Sequence, residues 1–239
     1  MTKIKLNPRY TFNNFIVGKF NEFPYAVAEA VVSEPVVKYN PLFIYGRAGQ
    51  GKTHLIQAIG NKIKRLHKDK KVLYVTSEVL MNDLISGFRK KSMDEFQKKY
   101  LKCDVIIIDD LQFIAGKLAT EEEIIHFFDL LLKNNKQIIA SLGDEPKSFI
   151  KLTDHARRNY EAGIIAGVGK PDEEARKAII KAKADKKNIH LTKKVLNFLV
   201  QATGQCDIRK LEGILNVILV RTTQDYSHKI LRHIIKYDF

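Results

Sequence analysis

Residues 46–53 read Gly46-Arg47-Ala48-Gly49-Gln50-Gly51-Lys52-Thr53 and fill every position of the pattern G-x-x-x-x-G-K-[ST]. The run before them, Leu42-Phe43-Ile44-Tyr45, has the form of a short buried strand. After them, residues 53 to about 67 place Leu55, Ile59, Ile63 and Leu66 on one helical face. A glycine turn between strand and helix lets backbone N–H groups point inward at a phosphate. The positive end of the following helix adds to that anion site. Lys52 is then expected to reach the β- and γ-phosphates, and the Thr53 hydroxyl to take a place on Mg²⁺.

Working outward, strands are expected at 72–76, 105–108 and 137–141, and helices at about 80–88 and 121–132. Strands alternating with helices predict a mostly parallel sheet covered by helices, an α/β fold. The 105–108 strand is apolar throughout, as befits a strand covered on both faces. It runs straight into Asp109-Asp110. A carboxylate at the carboxyl end of a central strand suits Mg²⁺, and its neighbour suits orienting the attacking water. Asp109 is accordingly assigned to the metal, and Asp110, with Lys52, to catalysis.

After Ile165 the pattern changes: residues 167–172 form a turn-rich hinge, and Asp172 reads as the N-cap of a helix to about residue 185. Helices at 193 to about 201 and 208 to about 222 follow. The expected division is an α/β nucleotide-binding base over 1–167 and a small all-helical part over 168–239. With 41 Lys+Arg against 27 Asp+Glu, the net charge of +14 points to an anionic partner, nucleic acid or nucleotide phosphate. Arg89-Lys90-Lys91 with Lys98-Lys99, and the lysines between 62 and 71, are the densest basic groups. No apolar run is long enough to span a bilayer, and residues 1–10 lack the apolar core of a secretory signal. Cys103 and Cys206 are read as reduced thiols, and the location as cytoplasmic.

Longer motifs carry a resemblance. Asn7-Pro8-Arg9-Tyr10-Thr11-Phe12, then Phe15-Ile16-Val17-Gly18 and Asn21, resemble the opening of the central ATPase domain of the bacterial DnaA family. So do Tyr39-Asn40-Pro41 through His54-Leu55, Ile108 through Lys117, and Asp207-Ile208-Arg209-Lys210-Leu211-Glu212-Gly213. The resemblance implies a P-loop AAA+ ATPase, with a parallel-sheet base and a helical lid holding ATP or ADP. It implies Val17 and Gly18 at the adenine, and Arg209 as the lid arginine that reports on phosphate. Around the phosphates it adds Gly46, Gly49, Gln50, Gly51, Lys52, Thr53 and His54. Ile85, Lys117 and Thr120 correspond to the positions with which the family contacts single-stranded DNA. The implied partners are single-stranded or origin DNA, and further copies of itself or a DnaA-type initiator. The implied role is initiation of DNA replication by ATP-dependent assembly and DNA binding and unwinding.

The departures are as informative. Asn159 stands in Asp154-His155-Ala156-Arg157-Arg158-Asn159-Tyr160 where the family has the arginine finger that enters a neighbouring subunit's site. A short neutral amide lacks the charged fork for a transferring phosphoryl group. Either Arg157 or Arg158 substitutes, or sensing between subunits is impaired, and weak intrinsic hydrolysis is expected. An arginine usual in the family before Thr120 is Ala119 here, which should weaken the DNA contact. Around the sensor I strand, Ser141 and Asp144 are the polar candidates. The family's duplex-reading helix-turn-helix domain would follow Phe239, and its helicase-recruiting domain would precede Met1; an intact chain of this length is expected not to read origin duplexes by that route. Two alternatives stay open: a DnaA-like regulatory paralogue that controls the initiator's nucleotide state, and a helicase loader.

Overall fold

The computed structural model describes residues 5–35, 39–114, 118–143, 163–204 and 208–221. The strands are β1 (Leu42–Tyr45), β2 (Val72–Thr76), β3 (Val105–Asp109), β4 (Gln137–Leu142) and β5 (Ile164–Gly167). They form one sheet in the order β2-β3-β4-β1-β5, and every neighbouring pair is parallel. The helices are α1 (Glu22–Ser33), α2 (Lys52–Leu66), α3 (Ser77–Arg89), α4 (Met93–Leu101), α5 (Leu118–Lys133), α6 (Glu173–Asp185), α7 (Lys193–Ala202) and α8 (Ile208–Arg221). The α/β expectation therefore holds, with four of the five strands where the apolar runs placed them. Three elements go beyond the sequence reading: α1, α4 and β5. Gly167 closes β5 instead of opening a turn, and its backbone runs beside the Tyr45 ring.

The chain divides into two compact units. The first takes Met1–Phe15, Glu22–Arg47 and Lys52–Val168. Its core lies between the sheet and the helices, and β3 and β4 are buried along their whole length. Each such aliphatic side chain contributes about 1.5–3 kcal/mol on leaving water. Helix α2 crosses β3 at short range because residue 60 is glycine. A methyl group there would lie 2.6 Å from Ile107 Cδ1. Close approach of helix and strand at this point brings the polar side chains of α2 against the strand ends, where the site is built.

The second unit takes Ile16–Asn21, Ala48–Gly51 and Gly169–Phe239. Its described helices α6, α7 and α8 share a core that includes Ile179, Ile180, Leu199, Leu211 and Ile214. Asp172 caps α6 as expected, its carboxylate accepting from Ala175 N–H at 2.8 Å. Two short stretches from earlier in the chain belong to this unit. Ile16 and Phe20 pack on its core, and Gly169 N–H donates to Phe20 O at 2.8 Å. Ile208 N–H donates to Gly49 O at 3.1 Å, tying the tip of the glycine loop to the start of α8. Among the described residues, no helix is long and apolar enough to cross a membrane.

Candidate nucleotide and metal site

The glycines of the loop are required by its backbone. Gly46, Gly49 and Gly51 have φ of 148°, 76° and 94°, conformations that side-chain-bearing residues rarely adopt. This turns the chain from the end of β1 into the first turn of α2, whose N-terminal N–H groups lack partners within the helix. Lys52 is buried, and its Nζ donates to Arg47 O at 3.0 Å across the base of the loop. Gln50 is buried too, and its Oε1 has no hydrogen-bond partner.

Three adjacent strands and α2 meet at Asp109, which is 3% exposed. Its Oδ1 accepts from Thr53 Oγ1 of α2 at 3.3 Å and from Ser141 Oγ of β4. Its Oδ2 accepts from Tyr74 OH of β2 at 2.8 Å. The register explains the meeting. Thr76 pairs with Asp109, so Tyr74, two residues earlier, faces the same side of the sheet. Ser141 lies one step beyond the Ile108–Ala140 pair on the other flank. Desolvation first, and then the Asp109 charge, push the Tyr74 phenol well above its ordinary range, so it stays a proton donor to the carboxylate. Gln57, one turn after Thr53, is also a polar neighbour of this phenol.

Asp110 sits at φ 57°, in the left-handed region that Asp tolerates better than most residues. Its N–H donates to Ser141 Oγ at 2.8 Å and its Oδ1 accepts from Gln112 Nε2 at 3.2 Å. Ser141 thus touches both carboxylate residues, once by accepting and once by donating. Of the two sensor I candidates, Ser141 is at the cluster; Asp144 lies outside the described residues. The hard oxygen donors Thr53 Oγ1 and Asp109 Oδ1 suit Mg²⁺, which prefers carboxylate and hydroxyl oxygen with water completing its shell.

His54 is turned toward the N-terminal segment. Its Nε2 is 2.9 Å from Thr11 O, and its ring packs against Tyr10 and Phe15. Gln57 Oε1 accepts from Asn7 N–H at 2.8 Å, and Asn61 Nδ2 donates to both Asn7 O and Tyr10 O at 2.8 Å. Residues 54, 57 and 61 recur at helical spacing, so one stripe of α2 holds residues 7–11. That stripe, with Tyr74 and Gln112, escaped the sequence reading. Polar positions at helical spacing are its only signal, and a tyrosine in a strand carries none.

The remaining assigned residues belong to other elements. Gly18 N–H donates to Asn21 Oδ1 at 2.9 Å, and the buried Asn21 returns a bond to Ile16 O, which shapes residues 16–21 into a tight turn with Val17 exposed. Arg209 is exposed in the first turn of α8. Ile85 is 37% exposed on α3, beside the exposed Phe88 and the basic run Arg89-Lys90-Lys91. Lys117, Cys206, Asn159, Arg157 and Arg158 lie outside the described residues, as do the side chains of Thr120 and Ala119.

A strand order of 2-3-4-1-5, a glycine phosphate loop after β1 and an aspartate ending β3 define an ATPase fold of the AAA+ class. Residues 6–167 match the family model "Bacterial DnaA ATPase domain", and the chain belongs to that family. The chromosomal replication initiator protein DnaA of Geotalea daltonii is 45% identical over 210 residues, which is 88% of this chain and 47% of that protein. That of Chloroflexus aurantiacus is 46% identical over 211 residues, 88% of this chain and 44% of that protein. The chain therefore spans about half the length of the curated relatives it matches. Among solved structures, domain III of the Thermotoga maritima replication initiation protein DnaA superposes with a TM-score of 0.90 at 37% identity, covering 98% of each chain. A replication initiator DnaA bound to AMPPCP and single-stranded DNA superposes with a TM-score of 0.81 at 34% identity, covering 90% of this chain and 66% of that one.

Proposed function

We propose that this chain is an ATP- and Mg²⁺-binding switch of the DnaA type, acting in the cytoplasm in initiation of DNA replication. The observation that carries the reading is the oxygen cluster of Thr53, Asp109 and Ser141 beside a loop whose three glycines have positive φ. Lys52 donates to the β- and γ-phosphates, and the loop N–H groups receive the remaining oxygens. Thr53 and Asp109 would hold Mg²⁺, which would supply positive charge against that developing on the transferring phosphoryl group. Asp110 accepts from the attacking water and orients it. Val17 and Gly18 meet the adenine, and Arg209 is the cation that answers to bound phosphate. His54 acts on the site through the N-terminal segment it holds.

For DNA, support comes from α3, where exposed Ile85 and Phe88 adjoin three consecutive cations. Apolar and aromatic surface beside lysine and arginine suits single-stranded nucleic acid, whose bases stack while its phosphates pair. Lys117 and Thr120 are proposed to complete this contact. With Asn159 at the finger position, hydrolysis by the isolated chain is expected to be slow.

The test is size-exclusion chromatography with light scattering, in ATP·Mg²⁺ and ADP·Mg²⁺, with and without short single-stranded DNA. Growth in mass with ATP and DNA, lost in Arg209→Ala, is the expected result. A species of constant mass under all four conditions would refute self-assembly and favour a regulatory paralogue docking on another initiator.

A further inference from the structure

Asp109 is held on both of its oxygens, and the two sides are not alike. On the Oδ1 side stand Thr53 and Ser141, the groups that belong to the proposed metal cradle. On the Oδ2 side, among the described residues, stands the Tyr74 hydroxyl at 2.8 Å, itself 7% exposed. A carboxylate at the end of a strand can rotate about its terminal bond, and that torsion is broad and two-fold. A single strong donor on one oxygen removes this freedom and decides which oxygen faces α2. Behind Tyr74, the buried Gln57 is a polar neighbour of the phenol, and its Oε1 accepts from Asn7 N–H at 2.8 Å. Gln57 thus stands between the N-terminal segment and Tyr74.

We propose that Tyr74, with Gln57 beside it, is a positioning residue for the metal carboxylate that keeps Asp109 Oδ1 directed at Thr53 and leaves Oδ2 unavailable to the cation. The inference rests on the proposed Mg²⁺–nucleotide reading. Partners behind a metal ligand commonly change metal affinity by about 10–100-fold when removed. Because the hydrogen bond of Tyr74 goes to the carboxylate, its effect belongs to the metal and not to the nucleotide.

The experiment is a Mg²⁺ titration of the folded chain with a fluorescent ATP derivative, run beside the same binding measurement in EDTA. In Tyr74→Phe the Mg²⁺ concentration at half-effect is expected to rise about tenfold, with affinity in EDTA within about twofold of the parent. Gln57→Met should move the Mg²⁺ midpoint the same way by a smaller factor, and decides the matter if Tyr74→Phe does not fold. In an Asp109→Asn background, Tyr74→Phe should add no further shift. A Mg²⁺ midpoint unchanged in the variants, or an equal loss of affinity in EDTA, would overturn the positioning role while leaving the nucleotide reading intact. A parent chain whose nucleotide binding takes no account of Mg²⁺ would overturn both.

Discussion

Replacing Lys52 by alanine separates the chemistry of the loop from its architecture. The Nζ is already over the loop, donating to Arg47 O at 3.0 Å, so its position is set before nucleotide arrives. Charge-assisted hydrogen bonds are worth about 1.5–3 kcal/mol each, so two to the β- and γ-phosphates supply about 3–6 kcal/mol. Releasing the bond to Arg47 O takes back about 1.5–2 kcal/mol on the same scale. The difference, about 1–4.5 kcal/mol, corresponds to a loss of about 5- to 2,000-fold in ATP affinity. Isothermal titration calorimetry of parent and Lys52→Ala measures it, with thermal unfolding of the unliganded proteins to show that the fold survives. A weakening of less than about threefold in a well-folded variant would refute the assignment of Lys52 to the phosphates.

Asp109→Asn should reduce Mg²⁺-dependent turnover by about 100-fold or more while changing nucleotide affinity by only a few-fold; the reverse pattern in single-turnover and binding assays would remove Asp109 from the metal. Tyr74 and Tyr100 are both buried against carboxylates, and desolvation raises both phenols above the ordinary value of 10.0. The folded state then keeps protons that the unfolded chain loses. Their contribution to stability is complete below pH 10 and declines as pH rises above it, by about 1.4 kcal/mol per pH unit for each tyrosine. Denaturant titrations between pH 9.5 and 11.5 should show this, and Tyr100→Phe should lessen the slope by one tyrosine's share; an unchanged slope would contradict it.

How far the fold could be read depended on how local its causes are. Val105 to Ile108 are apolar without interruption because both faces of β3 are covered, and Asp172 announces α6 because a cap acts within one turn. Strand β5 is harder, since Ile164-Ile165-Ala166-Gly167 is four residues long and, among the described residues, has a strand partner only in β1. Helix α4 hides for a different reason: only Phe96 and Tyr100 of its nine residues are buried, too few to set a period. The loop glycines and Asp109 were legible because phosphate and metal chemistry restrict sequence within a few positions. Tyr74 and Ser141 meet Asp109 through strand register, and no local pattern encodes a neighbour more than 30 residues away.

The second unit is assembled from three stretches of chain, and this bears on how the protein is made. Ile16 and Phe20 leave the ribosome about 160 residues ahead of Ile179, the first large residue of the core they join. At about 5–20 residues per second, they wait roughly 8–30 seconds in a nascent chain with no surface to cover. The glycine-loop tip, residues 48–51, waits likewise for Ile208 to be synthesised. Completion of the helical unit therefore comes long after its first pieces are made, and a fragment begun at residue 168 would be born with the seat of Ile16 and Phe20 open.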